Sequence, residues 1–473
     1  MNLICKQPSM KKQKIIGELE EDRISQLPDS LLHCILSLLP TKEAVATSVL
    51  SKRWTDLWTS VTNLDFLCPD HYITKVNGRL VYVTANEQNH RSLHFVERVL
   101  LLHSANIRKF RLQSSNHLTS SRVISWISAA VRRRVQELHL ATHMESVLIL
   151  PRCLCTSEIL TVLKVERMHC LIQFPSIIFF SSLKTLYLTH VEFVDDISLN
   201  RLFSGLPILE ELKLHRCKWG NIRNVTISIP SLRSLTFYVA CNKSSFECEI
   251  KVYAANLVYL NCSSDLSINL LLNNLSSLVD AYIDMKTLWN HPKATQFAAN
   301  IINGLRCAKT LKISEGTLEG LYRIYGNLEE TVNVFPTFSY LTSLEVNTMV
   351  TNRISRVLMG IFRGSPVLES IVIDEVYKGT WMTNPQPHGL KFCLKTCCLL
   401  EFRGRPAEMR FVKFLLKVAT VLETIKIYCS EGLTKDEKKQ EEVTKELGRV
   451  PKRSSRCGIQ LLKYTDREIK RKY

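Results

Sequence analysis

One short phrase recurs through the middle of the chain and limits the folds open to it. The phrase is six residues long, with apolar residues at its first, fourth and sixth positions. Its clearest occurrences start at Val135, Leu160, Leu183, Leu209, Leu232 and Leu257, in steps of 25, 23, 26, 23 and 25 residues. A unit of this size cannot cover its own apolar face, so neighbouring units must stack into a curved solenoid.

The last three residues of each phrase predict a short strand. Side chains alternate across a strand, so the two apolar residues face the core and the residue between them faces outward. A period of roughly 20–29 residues with this phrase is typical of a leucine-rich repeat. We expect the outward residues to line the concave face and to contact a target protein. In the six clearest phrases these substrate-facing residues are His139, Lys164, Tyr187, Lys213, Thr236 and Asn261.

The repeat becomes irregular towards the C-terminus. Weaker phrases start at Ala308, Leu341, Leu368 and Leu422. Residues 316–336 fit no repeat, and they predict an inserted helix or loop.

The segment from Asp22 to Phe66 predicts three short helices with an excess of apolar surface. Pro28 suits the first position of a helix, and Pro40 ends that helix. A third helix would place Trp54, Leu57, Trp58 and Val61 on one face. Domains this small bury only about 60% of their chain surface, so the remaining apolar side chains should contact a partner. Helical spacing alone also fits an ordinary bundle that packs on the rest of the chain.

The same segment resembles an F-box of the plant type, written LPDxLLxxIL, LPTKEAVxTSxLSKRW and LWxxVxxLDF, and the match has no gaps. The resemblance implies a module that docks on a Skp-type adaptor and, through it, on cullin and RING subunits. Some matching residues must form the core of the module, and the sequence does not separate them from the contact surface. The residues that match the adaptor-facing motif are Leu27, Pro28, Leu31, Leu32, Ile35, Leu36, Leu39, Pro40, Val45, Val49, Ser51, Lys52, Trp54, Leu57 and Trp58.

The C-terminal part, from Leu394 to Leu462, resembles the FBD domain that ends proteins of the same plant F-box family. Its apolar spacing predicts an amphipathic helix through Phe411 and Leu415, followed by a strand at Ile425 and Ile427. Such a unit would close the open end of a solenoid, which repeat proteins require.

These features together predict an α/β chain: a three-helix F-box, a curved leucine-rich-repeat solenoid and an FBD-type C-terminal cap. The expected parts are a basic disordered tail (1–20), the F-box (21–66), a linker (67–91), the leucine-rich repeats (92–385), the FBD domain (386–462) and a second basic tail (463–473).

The net charge of +18 is concentrated at the two ends of the chain. Residues 1–16 hold four lysines and no acid, and residues 449–473 hold nine basic residues against two acidic ones. A nucleic-acid-binding face usually concentrates its charge on one element of the fold, so this distribution argues against nucleic acid as the partner. The tails are interpreted either as nuclear-entry signals or as solubilising ends. We expect the protein in the nucleus, the cytoplasm or both.

The sequence contains no recognisable catalytic or metal-binding constellation. It has no GxxxxGK phosphate loop, no HExxH zinc helix and no GxSxG nucleophile elbow. Its sixteen cysteines include no CxxC pair. Neither a secretory signal core nor an apolar run of about 18 residues is present. No cofactor, metal site or membrane contact is therefore expected.

The expected function is substrate recognition in an SCF-type (Skp–cullin–F-box) ubiquitin ligase, as a non-catalytic subunit. The alternatives are an adaptor-binding scaffold with no role in ubiquitination, a nucleic-acid-binding protein and a small-molecule receptor.

Overall fold

The computed structural model describes most of the chain between Ile24 and Lys463. The predicted tail at 1–20 lies outside the described residues, as does the tail at 463–473 apart from Lys463. The described ranges are 24, 26–68, 71–76, 79–84, 86–144, 147–166, 170–219, 222–239, 248–264, 268–285, 293–325, 335–379, 381 and 386–463.

Helices and short 3₁₀ turns alternate with strands along the described chain. The 3₁₀ turns are Thr47–Val49, Lys52–Trp54 and Leu57–Ser60. The α-helices are α1 (Asp29–Leu36), α2 (Thr41–Ala46), α3 (Asn86–Leu102), α4 (Ser120–Arg132), α5 (Arg152–Cys155), α6 (Asp196–Ser204), α7 (Ala294–Asn303), α8 (Glu315–Tyr325), α9 (Asn352–Gly364), α10 (His388–Phe392), α11 (Pro406–Val418), α12 (Glu431–Lys435) and α13 (Glu437–Gly448).

The strands are short, and buried and outward-facing side chains alternate along most of them. They are β1 (Asn63–Cys68), β2 (His71–Val76), β3 (Arg79–Thr84), β4 (Lys109–Leu118), β5 (Glu137–Met144), β6 (Leu148–Ile149), β7 (Val162–Glu166), β8 (Leu171–Gln173), β9 (Thr185–Thr189), β10 (Glu192–Phe193), β11 (Glu211–His215), β12 (Asn224–Ser228), β13 (Ser234–Val239), β14 (Glu249–Tyr253), β15 (Tyr259–Ser264), β16 (Asn269–Asn273), β17 (Asp280–Met285), β18 (Thr310–Ser314), β19 (Ser343–Val350), β20 (Ser370–Val376), β21 (Thr396–Phe402), β22 (Thr424–Cys429) and β23 (Gly458–Lys463).

One large parallel sheet runs through the described chain, in the strand order β1-β4-β5-β7-β9-β11-β13-β15-β17-β18-β19-β20-β21-β22-β23. Equivalent residues of successive repeats pair directly: Leu186 of β9 lies opposite Leu212 of β11, which lies opposite Leu235 of β13. All three side chains are buried. The core is therefore a set of apolar ladders along the inner side of this sheet, as the repeat phrase predicts. We call the other, outward side of the sheet the sheet face.

Helices and two small parallel sheets cover the inner side of the large sheet. The small sheets have the orders β10-β8-β6 and β12-β14-β16. Helix α6 packs on β12, and α7 packs on β16. The side chain of Asp195 caps the start of α6 by accepting a hydrogen bond from the backbone N–H of Ser198 at 2.7 Å. This layer closes the core behind the sheet.

The N-terminal helical module is continuous with the solenoid. Strand β1, at the end of this module, pairs in parallel with β4 from Asn63 to Cys68. The Nε2 atom of His103 lies 2.8 Å from the carbonyl oxygen of Val61, across the same junction. The large sheet therefore begins inside the segment that resembles an F-box.

Three local predictions differ from the structure. Two 3₁₀ turns, separated at Thr55–Asp56, replace the predicted third helix, although Trp54, Leu57, Trp58 and Val61 are all buried as expected. Helix α3 begins at Asn86, whereas the sequence predicted a start at Ser92. The prediction missed the first residues of the helix because they are polar and carry no apolar periodicity. The predicted linker at 67–91 holds this first turn and the antiparallel pair β2–β3.

Candidate protein-binding surfaces

The structure divides the fifteen residues predicted to face the adaptor by their burial. Those in the core of the module are Leu32, Leu36, Trp54, Leu57 and Trp58. Those that are half-buried are Leu27, Leu39, Pro40 and Val45. Those that are exposed are Pro28, Leu31, Ile35, Val49, Ser51 and Lys52. The five core residues support the module, and direct adaptor contact stays a prediction for the others.

Exposed aliphatic side chains lie on α1, in the turn after it, and at the end of the 3₁₀ turn that follows α2. The exposed fractions are 49% for Leu31, 44% for Ile35, 84% for Leu38, 86% for Val49 and 65% for Leu50. Leu31, Ile35 and Leu38 follow the i, i+4, i+7 spacing of one helical face. We call these five residues the apolar patch. So many exposed aliphatic side chains in one small module are typical of a protein-binding surface.

Sequence reasoning missed two members of the apolar patch. Leu38 follows Leu31 by seven residues, so helical spacing could have placed it on the same face. Leu50 lies just after the 3₁₀ turn Thr47–Val49, and no periodicity in the sequence points to its exposure.

One arginine fixes the start of α1 against the rest of the module. The Nη2 atom of Arg53 donates to Asp29 Oδ1 at 2.6 Å and to the carbonyl oxygen of Leu27 at 2.5 Å. These contacts join α1 to the turn that carries Trp54. Because the ion pair is largely exposed, its role is orientation more than stability.

The second surface is the sheet face, and the six predicted substrate-facing residues form one row across it. His139 lies opposite Lys164, Lys164 opposite Tyr187, and Tyr187 opposite Lys213. Thr236 and Asn261 continue the row on β13 and β15. All six side chains are half-buried. Arg111 of β4 extends the row beyond His139.

Tyr187 organises the middle of this row. The Nζ atoms of Lys164 and Lys213 lie 4.4 Å and 5.5 Å from the centroid of its ring. Its hydroxyl donates to Glu211 Oε1 at 2.5 Å. Burial, together with this hydrogen bond, raises the pKa of Tyr187. Tyr187 is therefore a neutral aromatic platform between two ammonium groups.

The later strands of the sheet face carry a group of carboxylates. On the later strands, the Nζ atom of Lys312 lies 3.2 Å from Glu345 Oε1. Burial, then the charges of Glu345 and Glu401, raises the pKa of Asp374 to about 6. The later strands thus bring three carboxylates, those of Glu345, Asp374 and Glu401, close together on the sheet face.

The described residues include no group of three or more His, Cys, Asp or Glu side chains that could hold a metal ion. Burial raises the pKa of the Cys155 and Cys217 thiols to about 12, so both are protonated at neutral pH and chemically inert. None of the described helices is long and apolar enough to cross a membrane.

The fold and its two surfaces define a helical docking module joined to a leucine-rich-repeat solenoid. Comparison with known protein families agrees with this class. The F-box domain family matches residues 24–66, the FBD family matches residues 385–427, and the family described as FBD-associated F-box protein At5g56370, LRR repeats, matches residues 123–270.

Relatives from Arabidopsis thaliana align over almost the whole chain. F-box/LRR-repeat protein At4g14096 is 30% identical over 470 residues, which cover 93% of this chain and 95% of that protein. F-box/FBD/LRR-repeat protein At1g78750 is 29% identical over 475 residues, which cover 96% and 99%. The chain belongs to the F-box/FBD/LRR-repeat family. The predicted family and fold class are therefore confirmed.

Proposed function

We propose that this chain is the substrate-recognition subunit of an SCF-type ubiquitin ligase. In this role the F-box docks on a Skp-type adaptor, and the leucine-rich repeats hold a target protein. The observation that carries the proposal is the apolar patch, which belongs to a module of the F-box family and lies exposed in the chain by itself. An adaptor that covered these side chains would remove apolar surface from water, at about 25 cal/mol for each Å².

In this function the chain positions the target protein and supplies no catalytic residue. Adaptor, cullin and RING subunits would bring the ubiquitin-conjugating enzyme to the complex, and the sheet face would bring the target. Holding two reactants together raises their effective concentration, which accelerates transfer without any catalytic residue in this subunit. A rigid connection between the docking module and the solenoid would keep the target in place, and the pairing of β1 with β4 favours such a connection.

Co-purification tests the proposal and separates it from a scaffold role. The full-length chain, expressed in plant cells, should recover a Skp-type adaptor, a cullin and a RING subunit together. Recovery of the adaptor without cullin would favour an adaptor-binding scaffold. Recovery of none of the three would reject the proposal.

The basic tails should not be needed for docking. Deleting residues 1–16 and 463–473 should leave adaptor recovery unchanged, because the apolar patch includes no residue of either tail and salt screens charge beyond about 8 Å. Loss of adaptor binding after trimming would contradict the apolar account of docking.

We further propose that the chain acts in the nucleus, the cytoplasm or both, and that its tails promote nuclear entry. The trimmed chain should then accumulate less in the nucleus than the full-length chain when both carry a fluorescent tag. Identical distributions would leave the tails as solubilising ends only.

A further inference from the structure

Five neighbouring strands of the large sheet carry a continuous row of basic and aromatic side chains. Its members are Arg111 of β4, His139 of β5, Lys164 of β7, Tyr187 of β9 and Lys213 of β11, each opposite the next. Adjacent strands are about 4.8 Å apart, so these side chains are direct neighbours. We call these five residues the basic row.

Two members of the basic row lack partners that such groups usually have. Among the residues that the structure describes, the buried Nε2 atom of His139 has no hydrogen-bond partner. Within the same ranges, Lys164 makes no ion pair, and its Nζ atom lies over the ring of Tyr187 instead. Buried polar atoms in folded proteins are nearly always hydrogen-bonded. These unmet groups point to a ligand that brings hydrogen-bond acceptors and negative charge.

The field at His139 favours such a ligand. Burial, followed by the positive charges of Lys109, Lys164 and Arg111, lowers the pKa of His139 to about 4. The imidazole is therefore neutral at neutral pH and offers a single N–H donor. An anion placed between the flanking cations would reverse this field and favour the charged imidazolium.

Two carboxylates of the chain near His139 already pair with cations, one of them with Arg111 of the basic row. Glu137, on the same strand, lies 3.9 Å from both Arg108 and Lys109. Asp65 of β1 lies 3.5 Å from Arg111. Two further carboxylates lie on the strands of the basic row: Glu211 of β11 accepts the hydrogen bond from Tyr187, and Glu166 of β7 contributes to the raised pKa of Tyr187. Among the described residues, no carboxylate forms an ion pair with Lys164 or a hydrogen bond with His139 Nε2, so both groups remain available to an external anion.

We propose that the basic row binds a carboxylate-rich segment of the target protein, with one carboxylate held between Arg111 and Lys164 against His139. This inference rests on the proposed function, because it names the chemistry of the target held on the sheet face. A carboxylate reaches the Nε2 atom once the long, flexible side chains of the two flanking cations move apart. Both cations then form charge-assisted hydrogen bonds to it.

The far end of the sheet face restricts where such a segment binds. Glu345, Asp374 and Glu401 lie close enough together on β19, β20 and β21 to raise the pKa of Asp374. An acidic segment would be repelled there, so it should occupy the strands nearest the F-box.

Calorimetric titration of the unmodified full-length chain with hexaglutamate tests the proposal. A bound carboxylate should raise the pKa of His139 from about 4 towards its ordinary value of about 6.5, so the complex takes up a proton. Affinity should then rise as pH falls through the bound-state pKa. We expect binding about tenfold tighter at about pH 5.5 than at about pH 7.5. Hexaglutamine should not bind.

Matched variants locate the site on the sheet face. Lys164→Gln should weaken hexaglutamate binding about tenfold, the loss expected for one charge-assisted contact. His139→Gln should remove the pH dependence. Lys426→Gln should change nothing, because Lys426 occupies the same row at the opposite end of the sheet, on β22.

Several results would overturn the inference. These are absent or pH-independent binding of hexaglutamate, equal losses for Lys164→Gln and Lys426→Gln, and tighter binding of single-stranded RNA than of hexaglutamate. The pH dependence is measured on the unmodified chain, so misfolding of a variant cannot mask it. Recovery of the adaptor is measured separately: adaptor binding without hexaglutamate binding rejects this inference alone, and the reverse rejects the proposed function.

Discussion

Leu31→Asp combined with Ile35→Asp should abolish adaptor binding by the full-length chain while leaving the chain folded. Both side chains are about half exposed on α1, so their replacements stay solvated in the free protein. In the complex the two carboxylates would be buried without partners, which costs on the order of 2–7 kcal/mol for each group. Pull-down with a Skp-type adaptor measures the loss, and a thermal melt checks folding.

A matched control separates the loss of the apolar patch from a general effect of two added negative charges. Ile197→Asp combined with Val421→Asp introduces the same two carboxylates at exposed apolar positions of the repeats and of the FBD region, outside the F-box module. This variant should bind the adaptor as well as the unmodified chain does. Unchanged pull-down by the Leu31→Asp, Ile35→Asp variant would show that the apolar patch is not the docking surface.

The repeat could be predicted well because a strand has a strict period of two. Once the phrase placed Leu186 and Leu188 in the core, Tyr187 between them had to face outward. The next repeat follows the same alternation, so Lys213 faces outward beside Tyr187. The register then aligned all six predicted residues in one row. Each step depended only on residues within a single repeat and on stacking between neighbours.

The F-box surface could not be predicted at the same level, because α1 is apolar on several sides. Leu31 and Leu32 are adjacent in the sequence, yet Leu32 is buried and Leu31 is exposed. The difference arises because Leu32 faces the rest of the module, whose core includes Trp54 and Trp58. Sequence spacing describes one helix, whereas burial depends on where the other elements pack.

The strands that cover the inner side of the solenoid were also missed. Strands β12, β14 and β16 form one of the two small sheets on that side. Each holds only two buried side chains, such as Val225 and Ile227 of β12. Apolar runs this short do not distinguish a strand from a loop, so only pairing with the next repeat defines them.

Leu212→Ala should lower the free energy of unfolding by roughly 2–5 kcal/mol, and Leu186→Ala should do the same. Both side chains are fully buried, and they lie side by side on β9 and β11, so truncation of either one leaves a cavity in a continuous ladder.

Lys213→Ala should change stability little, because its side chain lies on the sheet face. Tyr187→Ala should cost more than Lys213→Ala, since it also removes the hydrogen bond to Glu211, but less than either leucine variant. Urea unfolding of the four variants measures this order. Larger losses for Tyr187→Ala and Lys213→Ala than for the leucines would mean that the repeat phase is inverted, and the basic row would then lie in the core.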